Sequence, residues 1–330
     1  DHRYYASQAD LLTGRSEYME SLNGVWKFHY AKNCQAVVPG FEKPDYSCAG
    51  WDDIRVPAHI QMEGYDAPQY TNTQYPWEGR EDIRPGEIPE YFNPVGSYVK
   101  YFTVPERMKG QRLFISFQGA ESGLALWMNG QFVGYSEDSF TPSEFELTEY
   151  VKEGENKLAA QVFKWTSSSW CEDQDFYRFS GIFRDVYLYT VPQVHIRDLK
   201  ISAVPDETLT KGTLEVSAKT WGEGKAKFTL SYKGEVCFED EKELTGGDAY
   251  TWEIDKPALW SAEEPNLYDL TIEVSAADGS LCEVIPQRAG FRRFEMKGNI
   301  MTLNGKRIVF KGANRHEFSS VTGRVVSGEE

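Results

Sequence analysis

The chain has 330 residues, of which 40% are hydrophobic and 26% are charged, and its 51 acidic against 35 basic residues give a net charge of −16. No stretch approaches the ~18 consecutive apolar residues of a membrane-spanning helix, and a surface this acidic disfavours a phosphate backbone or an anionic membrane as a partner. We therefore predict no nucleic-acid and no membrane partner. A neutral polyhydroxylated ligand stays allowed, as does acidity that serves only solubility.

The cysteines are few and scattered, with an odd total and no CxxC pair, which argues against a disulfide framework and against a zinc site. They are Cys34, Cys48, Cys171, Cys237 and Cys282. The residues from Asp1 to Tyr5 are polar and aromatic, so no secretory signal is visible, although the chain begins without Met. From these features we expect a cytoplasmic protein.

Residues from about 20 to 192 contain short alternating apolar runs between turn residues and almost no helical periodicity, which is typical of an antiparallel sandwich or jelly roll. The clearest runs are Arg112–Phe117, Gly123–Met128 and Lys157–Phe163. Asn129-Gly130 separates two such runs and suits a type I′ turn, so it predicts a hairpin. We predict one jelly-roll domain over residues 1–192.

Two polar clusters interrupt these runs. The irregular segment Gln61–Trp77 contains two prolines and a glycine, and its Asn72 offers both a donor and an acceptor to a sugar hydroxyl; a structural Asx-turn is the alternative there. The segment Trp170–Asp185 places Glu172, Asp173 and Asp175 among aromatic residues. Such carboxylates bind sugar hydroxyls or a hard cation, or they form a solvated acidic loop with Arg178 and Arg184 as partners.

The composition changes after Pro192, with fewer aromatic residues and more Lys, Glu, Thr and Gly. Strand candidates recur at the spacing of an immunoglobulin-like sandwich, which we predict over residues 193–288. These candidates are Leu214–Lys219, Lys227–Tyr232, Tyr250–Ile254 and Leu267–Val274.

The last segment, residues 289–330, has a third pattern. Asn304-Gly305 predicts another hairpin, and the continuous apolar run Ile308–Phe310 is typical of a strand buried on both faces. His316 and Glu317 follow that run, where residues of a (β/α)₈ barrel face the active site, although a lone His-Glu pair is otherwise an ordinary loop. A buried parallel strand needs neighbours, so we expect this segment to begin a further domain.

Taken together, these segments resemble glycoside hydrolase family 2, specifically its long-chain β-galactosidases. The segments that resemble family motifs, in order, are Ser21–Phe28, Trp51–Pro57, Tyr70–Pro76, Trp127–Ser136, Pro142–Phe145, Glu172–Val186 and Phe310–Glu317. The Tyr70–Pro76 and Glu172–Arg178 segments look like galactosidase rather than glucuronidase or mannosidase. The resemblance implies a mainly β chain: a jelly-roll sugar-binding domain, an immunoglobulin-like β-sandwich, then the first strand of a (β/α)₈ barrel.

The resemblance also implies roles for individual residues. By position in their motifs, Asn72, Asp175 and His316 would bind galactose, and Asp175 would also be a ligand of a sodium ion. Ser167–Trp170 departs from the family, because relatives often carry an acidic residue there for an outlying structural cation.

The chemistry itself is expected outside these residues. A retaining glycosidase needs two carboxyl groups ~5–5.5 Å apart, and the family carries both glutamates, and its Mg²⁺ ligands, well after the first barrel strand. We therefore predict no catalytic residue here, and an N-terminal part, inactive alone, of an enzyme that hydrolyses terminal β-D-galactosides such as lactose. The family further implies Mg²⁺ and Na⁺ as cofactors, and a dimer or tetramer.

The alternative is a free-standing carbohydrate-binding or interaction module made of tandem β-sandwiches. Ile308–Glu317 discriminates between the two, because an independent module has no use for an apolar barrel strand. Without its neighbours that strand is expected to leave an exposed apolar patch, or a disordered tail from about residue 290.

Overall fold

The structure is a computed structural model that describes residues 2–172 and 175–330. Its described residues form two compact units. The first unit comprises residues 19–190 and 315–330, and the second unit comprises residues 2–18 and 191–314. The described residues contain no helix long and apolar enough to cross a membrane.

The described residues of the first unit form fourteen strands. They are β1 (Met19–Ser21), β2 (Gly24–Ala31), β3 (Asp52–Val56), β4 (Gln69–Thr71), β5 (Val95–Thr103), β6 (Leu113–Phe117), β7 (Ala120–Glu121), β8 (Gly123–Met128), β9 (Gln131–Ser136), β10 (Ser143–Glu146), β11 (Glu155–Phe163), β12 (Phe176–Arg178), β13 (Gly181–Ile182) and β14 (Val186–Thr190). Short 3₁₀ helices interrupt them at Cys34–Ala36, Ile60–Glu63, Glu106–Met108 and Ser167–Trp170.

Two antiparallel sheets of the first unit enclose its core. One has the order β1-β14-β6-β10 and the other β3-β2-β5-β11-β8-β9. Alternate residues of β14 point inward, so that Val186 and Leu188 join the buried Phe28 and Tyr98 of the facing sheet. This is the predicted jelly-roll sandwich.

The nearly continuous burial of β11 has a separate cause. One face of the strand packs in the core between the sheets, and Ala159 on the other face joins a smaller buried cluster with Phe41 and Val99. A strand covered on both faces reads as an unbroken apolar run rather than an alternating one. Asn129 and Gly130 have φ values of 51° and 84° and join β8 to β9, which confirms the first predicted hairpin.

The second unit contains a seven-stranded sandwich and a small meander. Its strands are β15 (His195–Pro205), β16 (Lys211–Trp221), β17 (Gly224–Tyr232), β18 (Glu235–Leu244), β19 (Gly247–Asp255), β20 (Tyr268–Ala276), β21 (Leu281–Ala289), β22 (Phe294–Lys297), β23 (Ile300–Leu303) and β24 (Lys306–Arg307). Sheets β15-β16-β19 and β18-β17-β20-β21 enclose the core, and β22-β23-β24 form the meander. The immunoglobulin-like expectation is confirmed, as is the hairpin at Asn304-Gly305, which joins β23 to β24.

The N-terminal segment belongs to the second unit in the structure, whereas the sequence-based division assigned it to the first domain. Tyr5 exchanges backbone hydrogen bonds of 3.0 and 2.8 Å with Val284 of β21, and the hydroxyl of Tyr18 donates to the carbonyl of Cys282 at 2.5 Å. Between them lies the one α-helix of the described residues, α1 (Gln8–Thr13), capped by the side chain of Ser7.

Residues 308–318 form no regular secondary structure. The sequence predicted a buried strand at Ile308–Phe310, but Val309 and Phe310 are 65% and 72% exposed. A parallel strand is stable only between hydrogen-bonding neighbours and under a covering layer. Ile308 donates to the carbonyl of Met301 at 3.0 Å, but no described strand pairs with Val309 and Phe310. The exposed apolar patch expected for a barrel strand without its neighbours is therefore present.

Candidate functional site

The two polar clusters that the sequence singled out separately meet in the first unit. Strand β4 pairs antiparallel with β12, and Thr71 lies opposite Phe176. Asn72 follows Thr71 and Asp175 precedes Phe176. Because the two strands are antiparallel, both residues lie at the same end of this small ribbon. The pairing joins segments about a hundred residues apart, and it brings together two of the three predicted site residues.

A hydrogen bond orients Asp175. The phenol of Tyr70 donates to its Oδ1, and this bond is the main reason that the pKa of Tyr70 is raised. The Tyr70 ring is 55% exposed and lies 5.4 Å from the ring of Tyr177. Tyr70 was within a quoted cluster but was not predicted as a site residue. A tyrosine placed opposite an acid by an antiparallel ribbon has no signature in sequence spacing.

Asn72 makes a local contact. Its Oδ1 accepts from the backbone N–H of Thr73 at 2.7 Å. This interaction fixes the side-chain rotation of an exposed amide. An Asx-turn would place this acceptor on the N–H two residues on, that of Gln74, so the contact seen is local but is not the turn considered for Asn72.

His316 lies near the ribbon through one of its aromatic residues. Its ring is 6.3 Å from the ring of Phe176, the residue after Asp175. Phe318 stacks on Tyr177 and Phe179 at 5.1 and 6.1 Å, which docks the segment that carries His316. Glu317, by contrast, forms an exposed ion pair of 3.1 Å with Arg315.

A buried ion pair that was not predicted from the sequence lies behind this surface. Arg324 donates through Nη2 to Oε2 of Glu121, and the two side chains are only 10% and 5% exposed. Burial raises the pKa of Glu121 to about 7, against the opposing effect of the Arg324 charge. Desolvation likewise lowers the pKa of Arg324.

His59 is buried beside this pair. Its ring stacks against Phe179 at 4.3 Å and Phe183 at 5.2 Å, and neither ring nitrogen has a hydrogen-bond partner among residues 2–172 and 175–330. Desolvation, with a contribution from the charge of Arg324, lowers the pKa of His59 to about 3. His59 is therefore a neutral part of the aromatic layer under the ribbon.

The acidic cluster Glu172–Asp175 is described only at its two ends, because Asp173 and Gln174 lie outside the described residues. Glu172 accepts from the hydroxyl of Ser139 at 2.5 Å. Its charge also contributes to the raised pKa of Glu121.

The described residues do not assemble a cation site. No group of three or more His, Cys, Asp or Glu side chains suited to a metal occurs among them. At Asp175 they supply one carboxylate, of which one oxygen already accepts from Tyr70. In the serine run that departs from the family, Ser167 and Ser168 donate to Glu137 at 2.7 and 3.1 Å.

The site is an exposed rim rather than a cavity. A groove of about 870 Å³ opens elsewhere on the first unit, between residues 80–91 and residues 163–167. None of Asn72, Asp175 and His316 lines it. The predicted site residues thus present polar groups at a surface that the described residues do not enclose.

Models of one known family match almost the whole chain. Residues 19–192 match the sugar-binding domain of glycosyl hydrolases family 2, residues 194–292 match a second domain of that family, and residues 294–330 match its TIM-barrel domain. The match over residues 294–330 shows that the last segment is the start of a barrel domain.

Several curated proteins that are similar to this chain over nearly its whole length are named as β-galactosidases. A β-galactosidase of Halalkalibacterium halodurans is 51% identical over 337 residues, and that of Streptococcus thermophilus is 46% identical over 336 residues. Each alignment covers 100% of this chain and 33% of the relative, so the chain spans about a third of their length. A β-galactosidase large subunit of Leuconostoc lactis is 43% identical, with 99% of this chain and 55% of the relative covered.

Among solved structures, a β-glycosidase from Bacteroides vulgatus has a TM-score of 0.73 at 24% identity, with 94% of this chain and 38% of that chain covered. A β-glucuronidase from Bacteroides uniformis has the same TM-score at 22% identity, with 94% and 37% covered. At these identities the likeness shows the fold alone.

Proposed function

The chain belongs to glycosyl hydrolase family 2, and on that premise we propose that it is the N-terminal part of a retaining β-galactosidase and supplies part of its galactose subsite. The observation that carries the proposal is the ribbon of β4 and β12, which sets Asn72 and Asp175 side by side with His316 near Phe176. The names of the similar curated proteins support galactosides as the substrate class.

Each residue has a chemical role in this proposal. The Asp175 carboxylate accepts hydrogen bonds from sugar hydroxyls, and the amide of Asn72 can donate to one hydroxyl and accept from another. The imidazole of His316 supplies one more polar contact from the barrel segment. Tyr70 is a positioning residue, because its phenol fixes one oxygen of Asp175 and leaves the other for a ligand.

The catalytic pair is a separate matter. Retention requires an acid/base and a nucleophile ~5–5.5 Å apart. On the family resemblance we propose that both glutamates and the Mg²⁺ ligands belong to later parts of the barrel. Glu317 is not a substitute, since it is exposed and paired with Arg315. We propose that residues 1–330 bind the sugar and do not cleave it.

The remaining assignments are proposals of the same kind. They comprise Asp175 as one ligand of a sodium ion, a dimer or tetramer of the whole protein, a cytoplasmic location, and domains at 1–192, 193–288 and 289–330. For sodium, a carboxylate oxygen is a suitable hard donor, but further oxygen donors would have to complete the site.

A free-standing carbohydrate-binding module is the rival proposal. Val309 and Phe310 argue against it, because a module would gain nothing from two large apolar side chains 65% and 72% exposed. The family match of residues 294–330 to a TIM-barrel domain points the same way.

Hydrolysis of a nitrophenyl β-galactoside tests the proposal. We expect turnover by the complete gene product that contains this chain and none above a blank by residues 1–330 alone. In the complete product, Asp175→Asn is expected to lower kcat/KM by about 10- to 100-fold, since it removes a charged hydrogen-bond acceptor.

The matched control is Asp278→Asn, which removes a carboxylate that accepts from Ser280 in a turn of the second unit. It is expected to leave kcat/KM unchanged. Turnover by residues 1–330, or an unchanged kcat/KM in Asp175→Asn, contradicts the proposal.

A further inference from the structure

The ion pair of Glu121 and Arg324 connects residues 203 positions apart in the sequence. Both residues lie in the first unit, Glu121 at the end of β7 and Arg324 in the segment 315–330 that carries His316. Both side chains are almost fully buried. This ion pair thus connects the sandwich directly to the segment that contains His316, the third predicted site residue.

Aromatic rings surround the guanidinium of Arg324. Its central carbon lies 4.5 Å from the ring centroid of Phe176, which is the closest of four rings. The other three are Phe140 at 5.2 Å, Phe179 at 5.4 Å and Phe183 at 5.5 Å. The ring of Phe176 lies beside the ring of His316, and Phe176 is the neighbour of Asp175 in the chain. The side chain of Arg324 therefore packs against the ring that connects these two site residues.

The residue before Arg324 is fitted equally closely. Gly323 has a φ of +67°, and a Cβ there would lie 3.0 Å from Cδ2 of His59 and 3.3 Å from Cζ of Phe179. The backbone of the segment therefore rests directly on the aromatic layer. The hydrogen bonds of 2.7 and 2.9 Å that Ser319 and Gly323 exchange close the turn between Phe318 and Arg324.

We propose that Arg324 is a positioning residue of the galactoside site, which locks residues 315–322 against the β4–β12 ribbon so that His316 and Asp175 face one sugar. The part that concerns the sugar rests on the proposed function; the docking of the segment does not. Arg324 reaches the site through Phe176 and makes no contact with a ligand in this proposal.

The chemistry of the pair favours positioning over simple core filling. Two buried charges lose their hydration, so apolar residues of similar volume often stabilise a core as well or better. An arginine adds what an apolar side chain lacks: one planar group that donates to a carboxylate and packs against aromatic rings at the same time. Arg324 does both, through Nη2 to Glu121 and through its guanidinium plane among the four rings.

Two variants and two measurements test this. In Arg324→Lys, which keeps the charge but loses the planar fork, we expect amide hydrogen exchange of residues 315–322 to accelerate about tenfold. In Arg324→Met, which removes the guanidinium that donates to the buried carboxyl of Glu121, the acceleration is expected to be on the order of 100-fold. In the complete gene product, the inhibition constant of galactose should rise in the same order.

A purely structural role predicts a different pattern, with faster exchange spread over the core strands β5 and β11 and an unchanged inhibition constant for galactose. The matched control is Arg112→Lys, in an exposed pair whose guanidinium donates to Glu146 at 3.0 and 2.8 Å. It is expected to change neither measurement. If Arg324→Met does not fold, Arg324→Lys decides.

Unchanged exchange at residues 315–322 in the folded Arg324 variants overturns the proposal, and so does a loss of protection that is equal in the core strands. A complete gene product without galactosidase activity would instead remove the proposed function. In that case the exchange measurement on residues 1–330 still decides whether Arg324 docks the segment.

Discussion

At the scale of single residues, burial decides the chemistry around the site more than charge does. His59 is fully buried between two phenylalanine rings with no hydrogen-bond partner among the described residues, and its pKa falls to about 3. In the unfolded chain the same group returns to about 6.5. Between these values the unfolded state binds more protons than the folded state, so the stability that His59 contributes is complete above about pH 6.5 and is lost as the pH falls.

His59→Phe should flatten this dependence. The phenylalanine keeps the stacked ring and has no proton to take up, so the loss in free energy of unfolding between about pH 6.5 and pH 5 should shrink by about 2 kcal/mol. Urea denaturation at both pH values measures it. Glu121 titrates in the opposite sense, but it does so in parent and variant alike. An equal pH dependence in the two proteins would contradict the assignment.

The residues predicted from the sequence and those found in the structure differ most at the scale of single side chains. Asn72, Asp175 and His316 were identified because they lie in recognisable motifs, and their binding roles stay predictions. Tyr70, Glu121 and Arg324 carry no such signal, since each acts through a partner that only the folded chain brings near. For Glu121 and Arg324 that partner is 203 residues away.

At the scale of elements, local signals were sufficient where the turn itself fixes the structure. Both Asn-Gly pairs form the predicted hairpins, because φ values of 51° and 84° at Asn129 and Gly130 suit those residues and few others. The ribbon of β4 and β12 was not predicted, since three-residue strands have no periodicity to read. Ile308–Phe310 had the composition of a buried strand, but a strand also needs neighbours.

Gly96 in β5 shows how tightly these elements fit. A Cβ at this position would lie 2.8 Å from Cε2 of Phe28 and 2.9 Å from Cε2 of Tyr98, both rings of the core. Gly96→Ala should therefore lower the free energy of unfolding by about 1–3 kcal/mol, the usual cost of overpacking. Gly50→Ala, with nothing within 4 Å of its Cβ, should change it by less than about 0.5 kcal/mol. Equal effects of the two substitutions in thermal or urea denaturation would show that the space around Gly96 adapts.

At the scale of the whole molecule, the two units have separate hydrophobic cores with no residue in common. Phe28 belongs to one and Phe228 to the other, and both are 0% exposed. The composition change after Pro192 indicated this organisation, but no sequence pattern indicated that residues 2–18 pack with the later unit. Their contacts with β21 join segments more than 260 residues apart.

The separate cores predict two calorimetric transitions. Phe28→Ala and Phe228→Ala should each lower the midpoint of a different transition by about 10 °C, from a loss of about 3–5 kcal/mol in one core. The two substitutions serve as controls for one another. A single transition shifted alike by both would contradict the independence of the cores.

The separation of Glu121 and Arg324 in the sequence also determines how long after Glu121 the ribosome adds Arg324 to the nascent chain. A ribosome that adds about 5–20 residues per second needs about 10–40 s to make the residues between them, and N-terminal domains generally fold first. Glu121 is therefore synthesised well before the guanidinium that pairs with it. In the complete fold burial raises the pKa of this carboxyl and the charge of Arg324 opposes that shift, so the arrival of Arg324 favours release of the proton from the acid.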